Sequence, residues 1–120
     1  MKTLIFLDTE TTGNTKTDFL CQLAFKSPTE TYCELFKPQK SIPPEASAVT
    51  HITDKHVADK PAFKDSVDYS RIKSLLEDAN SVAVIHNAKF DLQILNSNIS
   101  ATDIHSDVCR GKISSSSWIN

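Results

Sequence analysis

Three carboxylates pose the chemical question in this sequence: Asp8 and Glu10, separated by one residue, and Asp91, far along the chain. In an extended segment, residues two apart point to the same face, so Asp8 and Glu10 share one side of any strand that carries them. Two anions that close repel, and an apolar neighbourhood limits their hydration. A cation between them relieves both problems, and oxygen ligands favour a hard divalent ion. The plainer alternative makes Asp8 and Glu10 solvated turn acids and Asp91 a first-turn acid favoured by a helix dipole. Thr11-Thr12-Gly13 shifts the balance, because two hydroxyls and a close-approach glycine stand where a phosphate oxygen or a terminal sugar could dock.

The elements that must position these groups can be read from periodicity. Thr3 to Leu7 is a continuous apolar run, suited to a central strand buried on both faces and ending at Asp8. Phe19 to Lys26 places Phe19, Cys21, Leu23 and Phe25 on one face at period two, and Thr31 to Lys37 is a third extended segment. Short connections make an antiparallel meander of the three. From Pro38 to Pro61 the pattern is irregular: Pro43-Pro44 argues against a regular element, and Thr53-Asp54 offers an N-cap to a short helix through Val57. Val67, Ile72, Leu75, Leu76 and Ala79 predict a helix over 65–79, stopped by Asn80. Ser81 to Ile85 is a second fully buried strand. Asn87 then caps a helix with apolar positions Phe90, Ile94 and Leu95 and with Asp91 in its first turn. If the two buried strands are parallel, their C-terminal ends open onto one crevice and Asp91 faces Asp8 and Glu10. Ile104 to Cys109 is a candidate last strand, and residues 111–120 form a tail.

Phe6-Leu7-Asp8-Thr9-Glu10-Thr11-Thr12-Gly13 resembles the first motif of the DEDD 3′-5′ exonucleases, in their DEDDh form. This is the ribonuclease H-like group that includes the proofreading epsilon subunit of bacterial DNA polymerase III. His86-Asn87-Ala88-Lys89-Phe90-Asp91 resembles the second motif, and His51-Ile52-Thr53-Asp54 through Pro61-Ala62-Phe63 resembles the loop between them. The resemblance, over roughly residues 3 to 97, implies an α/β fold: a mixed sheet of antiparallel meander plus parallel strands, with helices on both faces. It also implies hydrolysis from a DNA or RNA 3′ end by two Mg²⁺ or Mn²⁺ ions, one activating water and the other stabilising the leaving oxygen. Asp8, Glu10 and Asp91 take the role of metal ligands and catalytic carboxylates, while Thr11, Thr12, Gly13, His51 and Asn87 lie near the terminal nucleotide.

The family's third motif, a histidine followed five positions later by aspartate, has no separate match: His86 has that spacing only to Asp91, and His105 is followed by Arg110. The domain, placed at 1–110, is therefore expected to be C-terminally truncated relative to the family. Asp103 and Asp107 are weak stand-ins for the fourth carboxylate, general base unassigned. A missing helical layer would expose apolar surface, which makes a dimer or a polymerase-type partner plausible.

Composition sets the remaining bounds. A chain of 120 residues, 39% hydrophobic and 23% charged, suits one globular domain. A net charge of −2 argues against a protein that binds a long phosphate backbone through a broad basic field, but not against one that grips a strand end through bound cations. Asp8 and Glu10 interrupt the N-terminal apolar run too early for a signal peptide, and no segment is long enough to span a bilayer, so a soluble cytoplasmic protein is expected. Cys21, Cys33 and Cys109 show no metal-binding or disulfide spacing and are expected to be buried free thiols. Two other classes compete: a non-cleaving relative that binds strand ends or a partner, and a haloacid-dehalogenase-like phosphatase. The latter has a second aspartate two residues after its nucleophile, where this sequence has Glu10.

Overall fold

The computed structural model of the protein describes residues 3–13, 15, 17–85 and 106–108. Within them lie β1 (Thr3–Thr11), β2 (Leu20–Lys26), β3 (Thr31–Leu35), α1 (Pro44–Thr50), α2 (Asp54–Val57), a 3-10 turn (Phe63–Asp65), α3 (Tyr69–Glu77), β4 (Ser81–Ile85) and β5 (Ser106–Val108). The strands form one sheet in the order β3-β2-β1-β4-β5. β1 to β3 make the predicted antiparallel meander, whereas β4 joins β1, and β5 joins β4, in parallel.

The sheet separates two apolar layers. Ile5, Leu7, Leu23, Phe25, Ile72, Leu76, Ala83 and Ile85 form the larger one beneath α3. Burying a side chain such as Ile5, Leu23 or Phe25 contributes roughly 1.5–3 kcal/mol. Phe25 stacks on Tyr32 with ring centroids 5.0 Å apart, and the Tyr32 hydroxyl donates to Asp68 at 3.0 Å. Arg71 of α3 lies over the same ring and pairs with Glu30, so the helix is pinned to β3. On the other face, Cys21, Ile42, Ala46, Ile52 and Val57 form a smaller layer beneath α1 and α2.

β4 is not the fully buried strand expected, since Val82 and Val84 are only partly covered, and five further details depart from the sequence reading. β1 does not end at Asp8: pairing with β2 carries it through Asp8↔Ala24 and Glu10↔Gln22 to Thr11↔Leu20. Nor is it buried on both faces, since Ile5, Leu7, Thr9 and Thr11 are buried but Phe6, Asp8 and Glu10 are only partly so and Leu4 is exposed. Cys21 does not share a face with Leu23 and Phe25, because a register shift at Glu10/Thr11 skips it and places it in the smaller layer. Pro43-Pro44 begins a helix: Pro43 is its extended N-cap and Pro44 its first residue, where a missing N–H costs nothing. The helix over 65–79 contracts to Tyr69–Glu77, since the 3-10 turn closes through Ser66 N–H to the Phe63 carbonyl and leaves Val67 in solvent.

Of the expected late elements, the strand within 104–109 is present as β5. The helix carrying Asn87, Lys89, Phe90, Asp91, Ile94 and Leu95 lies outside the described residues, as do Asp103, Cys109 and the tail at 111–120. No helix among the described residues is long and apolar enough to cross a membrane.

Candidate functional site

The pairing of β1 changes where its carboxylates begin. Its parallel partner β4 runs alongside only from Thr3↔Ser81 to Leu7↔Ile85, whereas β2 continues on the other side beyond Glu10. Asp8 is therefore the first residue of β1 beyond its last described pair with β4, in a strand lying between a parallel and an antiparallel neighbour, where α/β sheets open a crevice. Asp8 and Glu10 sit on the same face, the one covered further along by α1 and α2. Both are part-buried. Their fields are felt by neighbouring thiols: burial and then the Glu10 charge push the Cys21 thiol up to about 12. Burial, Glu34 and Asp8 raise that of Cys33, which is exposed and not buried as expected.

A cleft of about 530 Å³ adjoins this strand end. Glu10, Thr11, Thr12, Gly13 and Asp18 form one wall, and Pro43, Glu45, Ala46, Val49 and Thr50 of the α1 segment form the other. Asp8 is not among the lining residues. His51 is not either: it follows Thr50 as the exposed C-cap of α1, in the left-handed region at φ 62°, and its N–H donates to the Ser47 carbonyl at 2.8 Å. Asn87 and Asp91 lie outside the described residues.

The loop after Glu10 has an anchor that the sequence reading missed. Asp18 is only 4% exposed. Its carboxylate accepts from the Thr12 hydroxyl at 2.7 Å, the Thr15 N–H at 2.9 Å and the Thr15 hydroxyl at 2.8 Å, and it is paired with the Lys40 ammonium. The Thr12 hydroxyl in turn accepts from the Phe19 N–H, and the Thr12 N–H donates to the Phe19 carbonyl. The Thr11 hydroxyl donates to the Gly13 carbonyl. The threonine hydroxyls thus brace the loop itself. The signal available in the sequence was Gly13 followed by Thr15, Thr17 and Asp18, a set of donors close to one acceptor.

Burial alone would raise the Asp18 pKa, but Lys40, Thr12 and Thr15 together hold it well below the usual carboxylate range. Since the folded-state value is depressed, the stabilisation is complete above the unfolded value of about 3.9 and fades as pH falls below it. Asp18→Asn is expected to cost on the order of 2 kcal/mol at pH 7, as loss of charged hydrogen bonds does. It should also flatten the fall in stability seen by urea denaturation as pH drops below about 4, where the Asp18 contribution fades. A wild-type fall equally steep in the variant would refute this assignment.

A hard cation fits the donors present in kind: Asp8 and Glu10 offer carboxylate oxygens from one face of one strand at a part-buried edge. Among the described residues no three His, Cys, Asp or Glu side chains converge to form a metal site, and Asp91, the third expected carboxylate, lies outside them.

A family model described as an exonuclease, RNase T, matches residues 5–105. The chain is 35% identical over 100 residues to DNA polymerase III subunit epsilon of Treponema pallidum, covering 78% of this chain and 44% of that protein. It is 34% identical over 111 residues to the same subunit of Buchnera aphidicola from Acyrthosiphon pisum, covering 79% and 44%. The chain therefore spans less than half the length of these relatives. Among solved structures, exonuclease X in complex with 5′ overhanging duplex DNA superposes with a TM-score of 0.63 at 25% identity, covering 96% of this chain and 64% of that one. An exonuclease I from Methylocaldum szegediense superposes at 0.71 with 18% identity, covering 91% and 27%, a likeness of fold.

Proposed function

The chain belongs to the RNase T exonuclease family, and from that membership we propose that it removes nucleotides from the 3′ end of DNA by metal-dependent hydrolysis. The observation that carries the reading is the position of Asp8 and Glu10, on one face of β1 just beyond Leu7↔Ile85, the last β1–β4 pair among the described residues. Asp8, Glu10 and Asp91 would hold Mg²⁺ or Mn²⁺. Two such ions supply Lewis-acid stabilisation of the phosphoryl oxygens and an acidified attacking water.

The chain's own residues supply placement. Glu10 brings one carboxylate to the cleft wall, where its negative charge repels a phosphate unless cations intervene, so binding and metal loading are coupled. The braced Thr11–Gly13 segment gives a fixed backbone at the edge of that charge, and α1 closes the opposite side. Fixing the strand end between two walls lowers the entropic cost of aligning it for attack. Kinship with polymerase III epsilon subunits supports DNA as the substrate, a polymerase as partner and the cytoplasm as the place of action.

The test is turnover of 5′-labelled single-stranded DNA and RNA in Mg²⁺, in Mn²⁺ and in chelator. A metal-dependent ladder on DNA is expected. Binding of strand ends with no cleavage in either metal would favour the non-cleaving relative.

A further inference from the structure

The two walls of the cleft come from separate stretches of chain, residues 9–18 and 43–50, and one ion pair links them. Lys40 lies three residues before Pro43, in the connection between β3 and α1, and its ammonium reaches Asp18 on the β1 wall. We propose that Asp18 and Lys40 are positioning residues, a strap that sets the separation of the two walls and so the fit of the strand end.

Both ends of the strap are built to transmit a displacement. Asp18 cannot give locally, being held by Thr12 and Thr15 and packed against Gly13. At the other end, Ser41 and the Ile42 N–H both donate to Asp54, and Ile42 is buried in the smaller apolar layer. Pro43 and Pro44 then lead directly into α1, and their fixed φ leaves little freedom to absorb a shift of Lys40. α1 itself is seven residues long, too short to hold its place by intrinsic helical stability. Its position therefore depends on Ala46 in the smaller apolar layer and on what is tied to its ends. The Lys40 side chain is 43% exposed against 4% for Asp18, so the ammonium is reached from the surface while the acid is fixed inside. An ion pair serving only to neutralise a buried acid would need no rigid connection to α1.

The strap is tested without reference to activity by amide hydrogen exchange in the wild type, Lys40→Met and Lys40→Arg. With Lys40→Met, exchange should accelerate about tenfold at the Thr12 and Phe19 amides and also at Ala46 and Ser47, whose N–H groups donate to the Pro43 carbonyl. Lys40→Arg, which keeps the pair, should restore both sets. Acceleration confined to the Asp18 loop, or none at either wall, would overturn the proposal. The kinetic consequence rests on the exonuclease reading: for a 5′-labelled single-stranded oligonucleotide, Lys40→Met should raise KM about tenfold and change kcat less than about threefold. An unchanged KM in a cleaving enzyme would overturn the proposed effect on substrate fit. A wild type that does not cleave would count against the exonuclease reading, while the exchange result would still decide the strap. Lys40, half-exposed, is a safer site for the test than Asp18, whose substitution endangers the loop.

Discussion

Asp8→Ala is expected to reduce metal-dependent nuclease turnover by about 10³-fold or more and to leave the fold in place. Under the proposed function Asp8 is a metal ligand, and losing such a ligand removes several kcal/mol of transition-state stabilisation, each 1.36 kcal/mol being a factor of ten in rate. Stability should respond differently. Asp8 belongs to neither apolar layer, and its removal relieves like-charge repulsion with Glu10 on the same strand face. A thermal midpoint within a few degrees of wild type, together with lost turnover, is the expected pair of results. A variant that cleaves at near wild-type rate would show that the carboxylates at the end of β1 do not run the chemistry.

Gly13→Ala should have the largest effect on the loop. A Cβ at this position would lie 2.5 Å from Asp18 Oδ2 and 2.9 Å from its Oδ1 and Cγ. Gly13 is not at positive φ, so what the glycine provides is space for a carboxylate and not an unusual backbone conformation. The carboxylate cannot swing away, since Thr12, Thr15 and Lys40 hold it. Either the backbone moves or those bonds break, at a cost of about 3 kcal/mol, toward the upper end for overpacking. Urea denaturation measures it, and a double-mutant cycle identifies its origin: in an Asp18→Ala background the same change should cost much less. Equal costs in both backgrounds would place the clash elsewhere.

The sheet was legible in the sequence because its strands carry the signal in their own residues. The alternating apolar positions of β2 and the unbroken run of β4 are local patterns, and their pairing followed from short connections. What escaped was set by pairing and by loop chemistry. β1 runs past Asp8 because β2 keeps pairing with it as far as Thr11↔Leu20, a fact about β2 and not about Asp8. Cys21 changed face because of a register shift that no periodicity announces. Pro43-Pro44 reads as a break until the chain before it supplies an extended N-cap. Asp8 and Glu10 were found as a pair because strand geometry alone aligns them, and the cleft adds Thr11, Thr12 and Gly13 beside Glu10. Asp18 and Lys40 were missed for the opposite reason: they are far apart in sequence, and only the folded chain reveals that a buried acid has met its cation.

The most direct test of the central claim is a strand carrying different labels at its two ends, incubated with the protein in Mg²⁺ and sampled at the earliest times. The expected result is release of the 3′-terminal label first, as a mononucleotide, abolished by chelator and by Asp8→Ala. Early release of the 5′ label, internal fragments, or release that persists in chelator would contradict a metal-dependent 3′-5′ exonuclease built on Asp8 and Glu10.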